Sequence, residues 1–165
     1  MRKFDTVLLH PYAARTMHIR PQLKAAALRR VLQRHPEIVA AYLYGSYAAG
    51  HPNRQSDVDI AVVLRERRRR RAQPEATYEV DLANELGAAI HHERVEVVVL
   101  NDAPPLLAWE AVRRGRRLLA RTPGTVRRFE LRTRQRYLDT AHLRAIQDHY
   151  LQAIIAKGFS KAVGR

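Results

Sequence analysis

The chain has 165 residues, of which 46% are hydrophobic, and it carries a formal net charge of +14. This length suits one domain with its own core and leaves little room for a second large domain. Without cysteine the chain has no disulfides or thiolate metal sites, and a reducing cytoplasm is the expected setting. The positive charge predicts attraction to acidic surfaces or nucleic acid, and no apolar stretch approaches the roughly 20 residues of a membrane span.

The apolar residues alternate between extended and helical patterns along the chain. Short apolar runs bounded by turn residues predict strands at residues 38–44, 57–64, 94–100 and 116–121. Helices are expected from Pro21, from Pro74 and from Pro104 to Gly115. Residues 125–157 contain no Pro or Gly and are expected to form one long helix or a bent pair of helices. Because strands alternate with helices, the pattern predicts an α/β (α+β) core. Residues 1–20 lack clear periodicity and are interpreted as an N-terminal extension, followed by a domain at 21–122 and a C-terminal helical segment at 123–165.

The most informative feature is Gly45-Ser46 followed, after ten residues, by Asp57-Val58-Asp59. Strand side chains alternate between faces, so Asp57 and Asp59 are expected on the same side. Two like charges at that spacing repel unless a cation lies between them, and Mg²⁺ is the cation that carboxylates and phosphates share. A small-residue turn beside two carboxylates therefore predicts a nucleotide-phosphate site with a metal. Glu96 interrupts another apolar strand, where an unpaired carboxylate is costly to bury, and it is the third candidate.

Residues 45–62 resemble the signature of the minimal nucleotidyltransferase family, a branch of the polymerase-β-like superfamily, with the sequence GSYAAGHPNRQSDVDIAV. The likeness continues through the Glu96 strand, and it covers about residues 21–140. Its later parts lie at residues 101–107, 112–119, 129–130 and 137–139. Taken together, the pattern resembles the MntA-like adenylyltransferase antitoxins that are encoded with HEPN-domain toxins. The resemblance implies a polymerase-β-like core, with a small mixed sheet flanked by helices and a C-terminal helical extension.

The resemblance also implies roles for individual residues. Asp57 and Asp59 would hold Mg²⁺, with two ions expected, and Glu96 would complete the metal site and polarise or deprotonate the acceptor hydroxyl. Gly45 would allow close backbone approach, and the backbone around Ser46 would cradle the phosphates of ATP. The implied activity is transfer of AMP from ATP to a tyrosine of a HEPN ribonuclease toxin, which neutralises the toxin within a hetero-oligomer.

Two positions depart from the family pattern. Glu96 stands where Asp is common, which lengthens the side chain by about 1.5 Å, and catalytic geometry is sensitive to errors of that size. Ala49 stands where a basic residue is frequent, so the charge that binds triphosphate is expected from Arg54, Arg65 or Arg67 instead. These departures keep open a non-catalytic antitoxin that inhibits by complex formation alone.

The arginine run at residues 67–71, just after Arg65, is interpreted as a solvated loop or as a contact for triphosphate, an acidic partner or RNA. A basic RNA-binding module with a vestigial nucleotide site is therefore a second alternative. A small-molecule nucleotidyltransferase is disfavoured because the chain has little room for a separate acceptor domain. His91-His92 is a poor metal clamp because adjacent side chains diverge on either a strand or a helix.

The C-terminal segment contains an apolar stripe at helical spacing, formed by Leu143, Ile146, Tyr150 and Ile154. Such a stripe packs either on the core of the same chain or against another subunit. The sequence leaves both interpretations open.

Overall fold

The computed structural model describes residues 23–65, 75–147, 149–150 and 152. The arginine run at residues 67–71, Ile154 and the proposed N-terminal extension lie outside the described residues. The described elements in chain order are α1 (Ala25–Arg34), β1 (Ile38–Tyr44), α2 (Gly45–Ala49), β2 (Val58–Leu64), α3 (Glu75–Ile90), β3 (Val95–Val99), α4 (Pro105–Arg114), β4 (Arg116–Ala120) and α5 (Pro123–Asp139).

The four strands form one sheet in the order β3-β2-β1-β4. Strand β1 runs antiparallel to both β2 and β4, whereas β2 and β3 are parallel, so the sheet is mixed. Helix α3 makes the crossover that a parallel pair requires. The predicted α/β class, with a small mixed sheet flanked by helices, is confirmed.

The two faces of the sheet are covered by different helices. On the α1–α3 face, the even-numbered residues of β2 pack with apolar residues of α1 and α3 such as Leu28 and Leu82. On the α4–α5 face, Ala61 and Val63 pack with residues of α4 and α5 such as Ala108 and Val126. Because strand side chains alternate, the odd-numbered Asp59 belongs to the α4–α5 face.

Element boundaries differ from the sequence prediction at two helices. Helix α1 begins at Ala25, and Leu23 and Lys24 are not helical, so the predicted start at Pro21 is wrong. The C-terminal segment starts at Pro123 and is broken in its described part, as in the second of the two predicted forms: α5 ends at Asp139, and residues 141–147 are helical again. The Thr140 hydroxyl donates to the carbonyl oxygens of Arg136 at 3.0 Å and Tyr137 at 3.1 Å, which is the local competition with helix hydrogen bonding that Thr offers.

Three residues of the predicted apolar stripe are described, and all three are exposed. Leu143, Ile146 and Tyr150 have relative exposures of 50%, 64% and 68%. They therefore do not pack on the described core of this chain. Within the described ranges, no helix has the length and apolar content to cross a membrane.

Candidate active site

A tight backbone turn brings the glycine motif against one of the carboxylates. Gly45 directly follows β1 and has a positive φ of +66°, a conformation that favours glycine. A Cβ placed on Gly45 would lie 1.9 Å from Oδ2 of Asp59, so a side chain at this position would collide with the carboxylate. Rather than a simple turn, Gly45-Ser46 begins the five-residue helix α2, which Gly50 ends with a φ of +79°. Glycine at position 45 lets the backbone and the carboxylate touch.

The strand register places three polar side chains in one row on the α4–α5 face. Tyr44 of β1 pairs with Asp59 of β2, and Asp59 pairs with Glu96 of β3. Burial, followed by the charges of Glu96 and Asp57, raises the pKa of Asp59. Burial and the charges of Asp59, Glu96 and Glu79 raise the pKa of the Tyr44 phenol to about 12. Asp57 and Glu96 are therefore each close enough to Asp59 for their charges to act on it, and repulsion between Asp57 and Asp59 is what the sequence predicted.

Asp57 has a cationic partner that the sequence analysis did not identify. The Arg94 Nε lies 3.1 Å from Asp57 Oδ1, and an Arg94 terminal nitrogen donates to the carbonyl oxygen of Arg54 at 3.3 Å. Although it contacts Arg94, the buried Asp57 Oδ1 atom accepts no well-aligned hydrogen bond within the described structure. Arg94 thus ties the loop after α2 to the start of β3. A basic residue directly before the Glu96 strand was the available signal, but the pairing requires knowledge of the parallel register.

Helix α2 is held in place by a contact between Tyr47 and His92. Tyr47 is 8% exposed, and its hydroxyl lies 3.1 Å from Nε2 of His92. The Nδ1 atom of His92 accepts a hydrogen bond from the Arg94 backbone N–H at 3.2 Å, so in the neutral ring Nε2 is the protonated nitrogen and donates to Tyr47. Both ring nitrogens of His92 are therefore occupied by structural contacts. This agrees with the interpretation that His91-His92 is not a metal clamp.

The predicted phosphate-binding residues separate into two groups. Ser46 and Arg54 lie on α2 and on the loop that follows it, at the same end of the sheet as the carboxylates. Arg65 instead comes directly after the last residue of β2, whereas Asp59 is its second residue. Six residues of strand span about 20 Å, so the structure does not bring Arg65 to the carboxylates. The prediction that Arg65 binds phosphate beside Asp59 fails on this geometry.

The residues present fit a hard divalent cation chemically. All the candidate ligands are carboxylate oxygens, the donors that Mg²⁺ prefers, and their mutual repulsion is the situation that a cation relieves. The poorly satisfied Oδ1 of Asp57 adds an acceptor that lacks a hydrogen bond. Even so, no three histidine, cysteine or carboxylate side chains in the described part of the chain are grouped closely enough to form a metal site.

Comparison with protein families gives one match that covers most of the described core. The model of the family "Polymerase beta, Nucleotidyltransferase" matches residues 26–123, which include every strand of the sheet. Among curated proteins, the protein adenylyltransferase MntA of Shewanella oneidensis is 30% identical over 127 residues, which covers 77% of this chain and 84% of that protein.

Solved structures with the same fold come from toxin–antitoxin complexes. A chain from a crystal structure of a toxin–antitoxin with AMP-PNP superposes with a TM-score of 0.65 at 27% identity, covering 78% of this chain and 99% of that one. A chain from a complex of tri-AMPylated Shewanella oneidensis HEPN toxin with MNT antitoxin gives a TM-score of 0.59 at 25% identity, covering 77% and 95%. The polymerase-β-like fold expected from the sequence motif is confirmed.

Proposed function

The chain belongs to the polymerase beta nucleotidyltransferase family, and we propose that it neutralises a HEPN ribonuclease toxin by transferring AMP from ATP to a tyrosine of that toxin. The observation that carries this proposal is the pairing of Asp59 with Glu96 beside the glycine backbone at Gly45. Carboxylates next to a backbone that a phosphate can approach closely are what nucleotidyl transfer requires. The adenylyltransferase and the antitoxin–toxin complexes that share this fold indicate the acceptor class.

We assign Mg²⁺ to the carboxylates, with Asp57, Asp59 and Glu96 as the residues that would hold it and two ions expected. When bound, the cation polarises the α-phosphate and offsets the charge that develops on the leaving pyrophosphate. Without a cation, the charges of Glu96 and Asp57 oppose ionisation of Asp59. The cation that the reaction needs would therefore also offset the repulsion that Asp59 experiences from Glu96 and Asp57.

The chain's own residues would then bind and orient ATP, and they would accept the proton of the acceptor hydroxyl. The backbone of Gly45 and Ser46 approaches the phosphates. Arg54 and Arg94 are both exposed at this end of the sheet, and they supply the positive charge that a basic residue at position 49 would otherwise provide. The tyrosine oxygen forms a bond to the α-phosphorus of ATP while the bond from that phosphorus to the bridging β-phosphate oxygen breaks, releasing pyrophosphate.

Glu96 takes the proton that the acceptor hydroxyl loses. Its side chain is exposed, unlike the apolar Val99 at the end of the same strand, so a protein substrate can reach it. Glu in place of the more frequent Asp extends the carboxylate toward the acceptor by about one bond. Transfer that is slower than in relatives with Asp is the expected consequence, since catalysis depends on the position of the proton acceptor.

The setting of the reaction follows from its components. ATP and an RNA-cleaving toxin meet in the cytoplasm, which is where we propose that the chain acts. The exposed apolar side chains of Leu143, Ile146 and Tyr150 are available to a protein partner. Residues 67–71 lie outside the described structure. RNA contact through them is a second proposal, and it rests only on the positive charge of five consecutive arginines.

Intact-mass spectrometry of the cognate HEPN protein tests the proposed transfer directly. The toxin is incubated with ATP, Mg²⁺ and the full chain, its Asp59→Asn variant or its Asp81→Asn variant. Asp81 is an exposed residue of α3, so its variant controls for loss of one negative charge. The toxin should gain AMP units with the wild type and Asp81→Asn, whereas Asp59→Asn should be slowed at least about 100-fold because several kcal/mol of transition-state stabilisation is lost.

Two results would contradict the proposal. Wild-type transfer by Asp59→Asn would mean that the carboxylate cluster is not the active site. Formation of an inhibited toxin complex without any mass gain would mean that the chain acts as an antitoxin by binding alone, with Glu96 and Ala49 as the first candidates for the lost activity.

A further inference from the structure

A polar cavity lies on the α4–α5 face, at the opposite end of β2 from the carboxylates. Its volume is about 320 Å³, at the lower end of the range of small-molecule sites. Apolar and aromatic contacts come from Val39, Val63 and Phe129, and its rim carries the guanidinium groups of Arg65 and two arginines of α5. The cavity therefore joins an apolar wall to a concentration of positive charge.

The two arginines of α5 that line the cavity are Arg132 and Arg136, one helical turn apart on the same side of the helix. Like charges four residues apart destabilise a helix, and Arg65 adds a third charge from the sheet. Among the described residues, none of the three forms an ion pair, whereas Arg94 and Arg117 each have a carboxylate partner. An anion bound in the cavity would relieve this repulsion.

Hydroxyl groups complete the polar side of the cavity. Thr125, in the first turn of α5, lines one end, and Thr133, which is only 4% exposed, lines the same helix face. The Asn101 side chain exchanges two hydrogen bonds of 2.9 Å with the Leu64 backbone and so fixes the cavity floor.

We propose that this cavity binds a phosphate ester no larger than a mononucleotide, with the phosphate on Arg65, Arg132 and Arg136 and the organic part against Phe129. Planar guanidinium groups match phosphate oxygens in paired hydrogen bonds, which a single ammonium group does not do. The length of β2 separates this phosphate site from the carboxylates by about 20 Å. The two sites therefore bind their ligands independently.

Isothermal titration of the full chain with AMP, and separately with inorganic phosphate, tests the proposal. A chelator keeps divalent cations away from the carboxylates. The test variant is Arg132→Gln with Arg136→Gln. The matched control is Arg127→Gln with Arg134→Gln, which removes the same charge from exposed positions on the other side of α5. AMP should bind, phosphate should compete with it, and the test variant should bind at least about tenfold more weakly than the control, because hydrogen bonds to charged groups are lost.

Asp59→Asn should leave AMP binding unchanged, which distinguishes this cavity from the proposed active site. Thermal melting of each variant confirms that it folds, so a loss of binding cannot come from unfolding. The proposal is overturned if neither probe binds the wild type, if the control loses as much affinity as the test variant, or if Asp59→Asn abolishes binding. Binding of a single-stranded RNA oligonucleotide without binding of AMP would also overturn it.

Discussion

The two faces of the sheet differ in both composition and chemistry. The α1–α3 face is apolar along the whole of β2, and its charged groups connect the end of α1 and the turn before β1 to α3 at the edge of the core. The α4–α5 face is apolar only in the middle of β2, at Ala61 and Val63. Its ends carry carboxylates at Asp59 and positive charge at Arg65. The comparison shows that one face holds the fold together, whereas the ends of the other are left for ligands.

Strand periodicity explains this division. From Val58 to Leu64, every even-numbered residue of β2 is buried with α1 and α3. The odd-numbered residues face α4 and α5, whose contacts cover only the centre of the strand. A carboxylate at the odd-numbered position 59 therefore lies outside the apolar core between β2, α1 and α3. A shift of the strand by one residue would exchange its two faces and bury this carboxylate.

The largest expected effect comes from Gly45→Ala, which disrupts the α4–α5 face and leaves the α1–α3 face intact. The new Cβ would lie 1.9 Å from Asp59 Oδ2, and the residue would keep a φ of +66° that disfavours alanine. Asp59 must move, and misplacement of about 1 Å in an active site costs on the order of 100-fold in rate. AMP transfer to the toxin, measured by mass, should fall by that factor.

Gly50→Ala is the matched control for the backbone strain. Gly50 also has a positive φ, +79°, but nothing lies within 4 Å of the position that a Cβ would take there. Both variants should lose about 1–2 kcal/mol of folding free energy to the left-handed conformation, and only Gly45→Ala should lose transfer. Equal loss of transfer by both variants would mean that strain, not contact with Asp59, explains the effect.

Much of this arrangement could be predicted from the sequence, because it depends on local spacing. The strands, the closeness of Asp57 to Asp59 and the position of Glu96 in a neighbouring strand all follow from alternation and short apolar runs. The close approach of the Gly45 backbone to Asp59 also agrees with the role that the motif implies for this glycine. Local periodicity carries this information because a strand fixes where each side chain points.

The remaining features depend on contacts between distant parts of the chain. The ion pair of Arg94 with Asp57 requires the parallel register of β2 and β3, and the basic cavity requires α5 to lie beside the end of β2. The misplacement of Arg65 had a local cause, since the length of β2 alone separates it from Asp59. A residue that directly follows a strand lies at the strand's last end, and in β2 the carboxylates lie at the first end.

A smaller effect is expected from Tyr42→Phe, which weakens the attachment of α5 to the sheet. Tyr42 is 2% exposed, and its hydroxyl donates to Glu130 Oε1 at 2.8 Å. Arg117 lies 3.6 Å from the same oxygen, so Glu130 keeps a cationic neighbour when the hydroxyl is removed. Loss of one hydrogen bond to a charged acceptor should cost about 1.5–3 kcal/mol, or roughly 3–12 °C in Tm for a chain of this size.

Circular dichroism melting measures this effect, and transfer activity well below Tm provides its internal control. Activity should be unchanged, because Tyr42 lies among buried core residues whereas Asp59 lies at the end of β2. A Tyr42→Phe variant that melts at the wild-type temperature would show that the Glu130 contact does not hold α5 to the sheet.

The smallest effect concerns the α1–α3 face and depends on pH. Burial raises the pKa of Glu37, but hydrogen bonds from its own backbone, from His35 at 3.2 Å and from the Tyr78 hydroxyl at 3.1 Å outweigh burial and lower the pKa below its ordinary 4.5. His35 also contacts Glu85, which pairs with Arg34 on the far side of the network. The folded state thus favours ionised Glu37, whose contribution to stability is present above pH 4.5 and is lost as pH falls through the folded pKa.

Glu37→Gln should therefore melt below the wild type at pH 7, and the difference in Tm should shrink as the pH is lowered through and below 4.5. Glu93→Gln, at an exposed position before β3, controls for the loss of a carboxylate. Its difference from the wild type should stay small and show no such trend. A Glu37→Gln difference that is constant with pH would mean that packing of the side chain, not its charge, stabilises this face. In that case charge would contribute nothing measurable to the stability of the α1–α3 face, and charged groups would matter only on the ligand-binding α4–α5 face.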